Sequence, residues 1–156
     1  MTSPFKHRIL LVIILAILLT YAFFSEKILH FGGMGYDGAF YGDFTMRFKE
    51  KIRDHAINSY YFQRLFLPFV IHYIFSFLHI ALSVPNVILA YSITNLICLF
   101  TGVWFFFRIS NLVKLSKSVE IIGFAALFFC FPVLKLCLYY PILMDIPAFT
   151  IAIVMV

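Results

Sequence analysis

LFLPFVIHYIFSFLHIALSV, residues 65–84, is long and apolar enough to cross a bilayer, which takes about 20 residues, yet its polar residues suit a different position. His72, Ser76 and His79 recur at i, i+4 and i+7, and Pro68 interrupts the run near its start. On a helix those three side chains share one face, the pattern of a helix lying in the membrane–water interface. Whether this block spans or lies flat decides on which side every other loop falls.

Further apolar blocks occupy 9–24, 86–108 and 119–140, and another begins after Asp145. The chain of 156 residues holds 21 Phe and is 63% hydrophobic; its 12% charged residues fall well below the roughly 25% of soluble domains. The expected fold class is all-α, a polytopic transmembrane helical bundle. Its spans are 9–24, 86–108, 119–140 and the start of a fourth over 145–156. An interfacial helix pair is expected in the first extracytoplasmic loop, 25–85. The eleven residues Ile146 to Val156 give about 16 Å of helix, part of a crossing, so the chain reads as the N-terminal portion of a longer protein. Cys98, Cys130 and Cys137 lie inside apolar stretches with no CxxC spacing, as small packing residues do, and no metal site is expected from them.

Orientation follows from the basic residues. The net charge of +5 comes from Lys and Arg in loops beside apolar blocks, where they set topology, so membrane lipid is the expected partner and nucleic acid is not. Lys6 and Arg8 precede the first block and no small-x-small cleavage site follows it, which reads as an uncleaved anchor with a cytoplasmic N-terminus in the cell inner membrane. If 65–84 lies on the outer surface, Lys6, Arg8, Arg108, Lys114 and Lys117 all fall inside. If it spans, the loop holding the last three falls outside, against the positive-inside bias. A rival arrangement puts the N-terminus outside, lets every block span, and leaves loop 25–64 with its six Lys and Arg in the cytoplasm.

Within that loop Phe40, Phe44, Phe48 and Ile52 recur every four residues, and Asp43 with Arg47 forms an i, i+4 pair. This predicts an amphipathic helix over about 39–53 and a second over about 63–83. Gly32, Gly33, Gly35 and Gly38 supply a flexible approach to the first.

The chemistry-bearing residues concentrate in Gly35-Tyr36-Asp37-Gly38-Ala39-Phe40-Tyr41-Gly42-Asp43. Carboxylates next to hydrocarbon are expensive. Asp37, hemmed in by Tyr36, Phe40 and Tyr41, reads either as a helix N-cap or as a general base with room for a substrate. Asp43 reads first as a surface ion pair. Asp145, between Pro141 and Pro147, begins the last helix, either as its cap or as a second carboxylate on the face that Asp37 reaches in either topology. Arg64 and Lys135 read as snorkelling anchors or as cations holding a lipid-linked phosphate. No Ser/His/Asp arrangement, P-loop or dinucleotide fingerprint is present.

The order of these features, Gly35 to Tyr41, an amphipathic stretch, then Tyr60-Tyr61-Phe62-Gln63-Arg64-Leu65-Phe66-Leu67-Pro68, resembles the first extracytoplasmic loop of bacterial GT-C type integral-membrane glycosyltransferases. The resemblance implies transfer of a sugar from a polyprenyl-phosphate donor on the periplasmic face. Asp37 matches the family's first acidic position and Asp145 its second. Asp37 would then deprotonate or orient the acceptor, with Tyr36 and Tyr41 beside the substrate. Asp145 would assist or help to hold a divalent cation, and Arg64 or Lys135 would neutralise the departing lipid phosphate. Leu65-Phe66-Leu67-Pro68 departs from the His-Pro-Pro type of many relatives, which also carry many more helices, so helix partners completing the bundle are expected. The alternatives are a small non-enzymatic multi-pass membrane protein, a gene remnant, or a transporter fragment with Asp37 and Asp145 as ion sites.

Overall fold

The computed structural model describes residues 4–25, 28–54, 64–143 and 145–155, whose regular structure is entirely helical. In order come α1 (Pro4–Phe24), a 3-10 turn (His30–Gly33), α2 (Tyr36–Met46), α3 (Phe48–Arg53), α4 (Phe66–Phe77), α5 (Val84–Val113), α6 (Lys117–Phe128), α7 (Phe131–Leu138) and α8 (Asp145–Val154). Tyr60, Tyr61, Phe62 and Gln63, the expected aromatic approach to Arg64, lie outside the described residues. Two compact units are present, one of residues 1–26, 95–139 and 145–156, the other of 27–94 and 140–144.

In the first unit α1 buries Leu11, Leu15 and Leu19, four residues apart, and exposes Leu10, Ile13, Ile17 and Tyr21. A helix apolar on its outward face as well as its inward one belongs in lipid. The buried face packs mainly on α7 and α6, which bring Val133, Phe124 and Phe128, and shares one cluster with Leu99, Val103 and Phe106 of α5 and with Ile146. The start of α1 lies by the end of α5, where Arg8 bonds Asn111, and the end of α1 lies by Leu96 and Phe100. The two helices are therefore antiparallel. Between apolar helices in lipid, hydrogen bonds and close packing replace the hydrophobic drive. Here Asn95 Nδ2 donates to the Cys137 carbonyl (3.1 Å) and Thr150 Oγ1 to that of Cys98 (2.9 Å). Cys137 is buried in the same cluster and Cys98 and Cys130 pack against it, all three as free thiols.

Among the described residues two helices, Lys6–Phe24 and Val84–Val113, are long and apolar enough to cross a membrane. The 119–140 block, expected as one span, is two helices bent by 46° at Phe129 and Cys130. Pro132 explains the break, because it lacks an N–H and its ring clashes with the carbonyl four residues back, so the helix stops and restarts with proline in its first turn. Counted as one crossing, the pair makes three spans. The start of the expected fourth span is the ten-residue α8.

The second unit holds the expected loop helices in altered form. The single helix over 39–53 is α2 and α3, separated at Arg47 (φ −116°, ψ 34°). The Thr45 carbonyl, which a continuous helix would turn to Lys49, accepts instead from His72 Nδ1 at 2.8 Å. The helix expected over 63–83 spans Phe66–Phe77, with Pro68 in its first turn. It ends where His79 takes φ 54° and Ile80 N–H reaches back to the Phe75 carbonyl, a left-handed cap with histidine in glycine's usual place. The polar face expected of His72, Ser76 and His79 does not form. His72 is buried with Pro68, Ile71 and Phe75, Ser76 is exposed, and His79 lies beyond the helix. The outward face carries Phe66, Phe69, Tyr73, Ile74 and Phe77.

Candidate functional site at the start of α2

The glycines before α2 make a tight seat. Gly35 holds φ 73° and ψ −179°, which a side chain resists, and a Cβ there would overlap the ring of Tyr140. One turn on, a Cβ at Gly38 would meet Ile142 at 3.2 Å, and one at Gly42 would strike Met34 Sδ. Glycines at 35, 38 and 42 thus form one stripe of α2, against which Tyr140, Ile142 and Met34 pack. Of Gly32, Gly33, Gly35 and Gly38, expected as a flexible approach, Gly35 and Gly38 are close-packed, while Gly32 is exposed.

That seat orients the residues between. Gly35, not Asp37, is the N-cap, and its carbonyl accepts the Ala39 N–H at 2.9 Å. The capping role expected of Asp37 is thereby corrected: Asp37 lies inside the first turn, where the positive end of the helix favours a carboxylate. It is exposed, and among the described residues no side chain pairs with it. Tyr36 is exposed beside it, its ring 4.8 Å from that of His30 and its hydroxyl 3.3 Å from His30 Nε2. Tyr41, on the buried side of α2, accepts a 3.4 Å hydrogen bond from Arg64 Nη1 through its hydroxyl. That bond links Tyr41 to Arg64 within one unit. Arg64 is exposed.

Beneath these, Thr45 Oγ1 donates to the Tyr41 carbonyl at 2.8 Å and lies 2.9 Å from the Tyr91 hydroxyl. With His72 on the Thr45 carbonyl, this gives α2 a buried polar anchor. Asp43 is held at 2.8 Å by both Arg47 and Lys51, which accounts for it as an ion pair.

Asp145 and Lys135 belong to the other unit. Asp145 is the exposed first residue of α8. Lys135 is half-buried with its ammonium 3.6 Å from the centre of the Tyr139 ring, a cation–π contact within α7 and its cap. Among the described residues no group of three or more His, Cys, Asp or Glu side chains gathers, so no residue set is assigned to the divalent cation that the resemblance allows.

A further polar cluster went unseen in the sequence. Glu120, its side chain 3% exposed, receives Arg8 Nε and Nη2 at 2.8 and 2.5 Å, meets His7 Nε2 at 2.6 Å, and accepts from the Ser110 hydroxyl. It binds the start of α1 and the end of α5 to the start of α6. Its signal in the sequence is that Glu120 is the one acid between Asp54 and Asp145, set at the head of an apolar block.

Comparison with protein-family models, with curated proteins and with solved structures finds no match for this chain.

Proposed function

We propose that the chain is a multi-pass protein of the cell inner membrane that acts on a lipid-borne substrate as a GT-C type glycosyltransferase, with Asp37 as the group that deprotonates or orients the acceptor. The observation that carries this reading is the arrangement at the head of α2. An exposed carboxylate, with no side-chain partner among the described residues, is held on a close-packed glycine seat beside an exposed tyrosine, in the same unit as an arginine bonded to Tyr41. General base catalysis needs a positioned carboxylate, and a departing polyprenyl phosphate needs a cation near the headgroup plane.

Chain direction supports an extracytoplasmic place for this group. The Glu120 cluster puts the beginning of α1 and the end of α5 at one end of their unit. If both helices cross, the segment joining them leaves and re-enters the bilayer from one side. Its longest described helix before α5, the twelve residues of α4, covers about 18 Å, short of the roughly 30 Å hydrocarbon core. Lying flat, α4 would set Phe66, Phe69, Tyr73 and Phe77 into the headgroup–acyl boundary. With Lys6, Arg8, Arg108, Lys114 and Lys117 on the cytoplasmic side, residues 28–54 and 64–83 would face the periplasm.

The test is sugar transfer by membranes carrying the chain, offered polyprenyl-phosphate-linked radiolabelled hexoses. Asp37→Asn is expected to lower the rate by about 10²–10⁴-fold, the usual size of general acid–base catalysis. A rate unchanged by the substitution removes Asp37 from the chemistry. A second reading, a non-enzymatic membrane protein, draws on how other charged groups are occupied: Asp43 by Arg47 and Lys51, Lys135 by Tyr139. It predicts no transfer from any of the donors.

A further inference from the structure

The α1–α5 pair leaves a groove of about 420 Å³ near the end that holds the Glu120 cluster. Ile9 and Ile13 of α1 form one wall, and Trp104 and Phe107 of α5 the other. Arg8 and Arg108 stand at its mouth. The volume lies within the roughly 300–1,000 Å³ of small-molecule sites. A groove with apolar walls on two membrane helices opens to acyl chains, since Ile9, Ile13 and Trp104 are all exposed.

The two arginines at the mouth are not equivalent. Arg8 is consumed by Glu120 and Asn111. Arg108 is exposed, its guanidinium 5.5 Å above the Trp104 ring, and among the described residues no carboxylate pairs with it. Lys6 and Lys114 are exposed on the segments that end here, and Glu120, the carboxylate described at this end, is already paired with Arg8. A guanidinium fork placed over an indole suits phosphate oxygens, and a locally basic surface suits a net negative headgroup.

We propose that this groove binds one anionic phospholipid of the adjacent leaflet, its phosphate on Arg108 and an acyl chain between α1 and α5 along Trp104. The proposal stands apart from the glycosyltransferase reading and survives its failure. Charge complementarity selects the occupant: a zwitterionic lipid offers the same acyl chain, but the carboxylate nearest its ammonium, Glu120, is already held by Arg8 and His7.

Trp104 is the chain's one tryptophan, so its fluorescence reports this site alone. The full chain is reconstituted in phosphatidylcholine vesicles that contain, at equal mole fraction, either phosphatidylglycerol or phosphatidylcholine with dibrominated acyl chains. Bromine quenches an indole that it touches. Stronger quenching by the brominated phosphatidylglycerol is expected, and Arg108→Gln should cut that preference by about fivefold, the worth of one basic residue at a membrane surface. Ile13→Phe, at an exposed position that fills the groove, should reduce quenching by both lipids. Equal quenching by the two lipids in the unaltered chain overturns the proposal. So does a preference that Arg108→Gln leaves intact in a chain whose helical content is unchanged.

Discussion

Gly35 shows how one residue can define a site without touching a ligand. Its left-handed φ and the Tyr140 ring against its missing side chain are separate obstacles to any substitution. Gly35→Ala is expected to destabilise the chain by about 2 kcal/mol through overpacking and strain, read as a lower melting temperature in detergent by circular dichroism. The carboxylates differ in the same measurable way. Glu120 is almost fully enclosed, so Glu120→Gln leaves Arg8 without its counter-charge and should cost about 3 kcal/mol. Asp43 is an ion-pair partner at a wetter place, with Arg47 62% exposed, and Asp43→Asn should cost less than about 1 kcal/mol. If the two substitutions shifted the melting temperature equally, the enclosed cluster would not be holding α1, α5 and α6 together.

The division between α2 and α3 was invisible in the apolar period of Phe40, Phe44, Phe48 and Ile52, which runs straight through it. Phe44 and Phe48 do pack on the inner side with Leu65, as that period requires, while Ile52 is exposed. A tertiary hydrogen bond from His72 to the Thr45 carbonyl competes with the helix's own ladder and wins because both groups are buried and must be satisfied. His72→Phe keeps the volume and removes the donor. It should cost about 1–2 kcal/mol and raise amide exchange in residues 48–53, where α3 loses its fixed origin. Unaltered exchange there would assign the break to local sequence instead. In α6 and α7 the cause is local, because Pro132 carries the instruction within its own ring.

Direction across the bilayer brings these elements under one expectation. With the three native cysteines replaced by alanine, a cysteine at Lys49 should react with a membrane-impermeant maleimide in intact cells. One at Lys114 should react only after permeabilisation. Both positions are exposed, so access from water decides the outcome. Reaction at Lys114 alone in intact cells would invert the orientation and put Asp37 in the cytoplasm, removing a periplasmic donor from consideration.

The helical class and the two helices long and apolar enough to cross a membrane follow from composition and the length of the apolar blocks, because about 20 apolar residues in helical form match the bilayer core. The pairing of Asp43 with Arg47 was also legible, since four residues on a helix place the two side by side. The burial of His72, the tight glycine seat and the enclosure of Glu120 were not. Each depends on a partner distant in the chain: Thr45 for His72, Tyr140 for Gly35, and Arg8 for Glu120. Periodicity reports which face of a helix is apolar, but it carries no information about which polar group another segment brings to meet it.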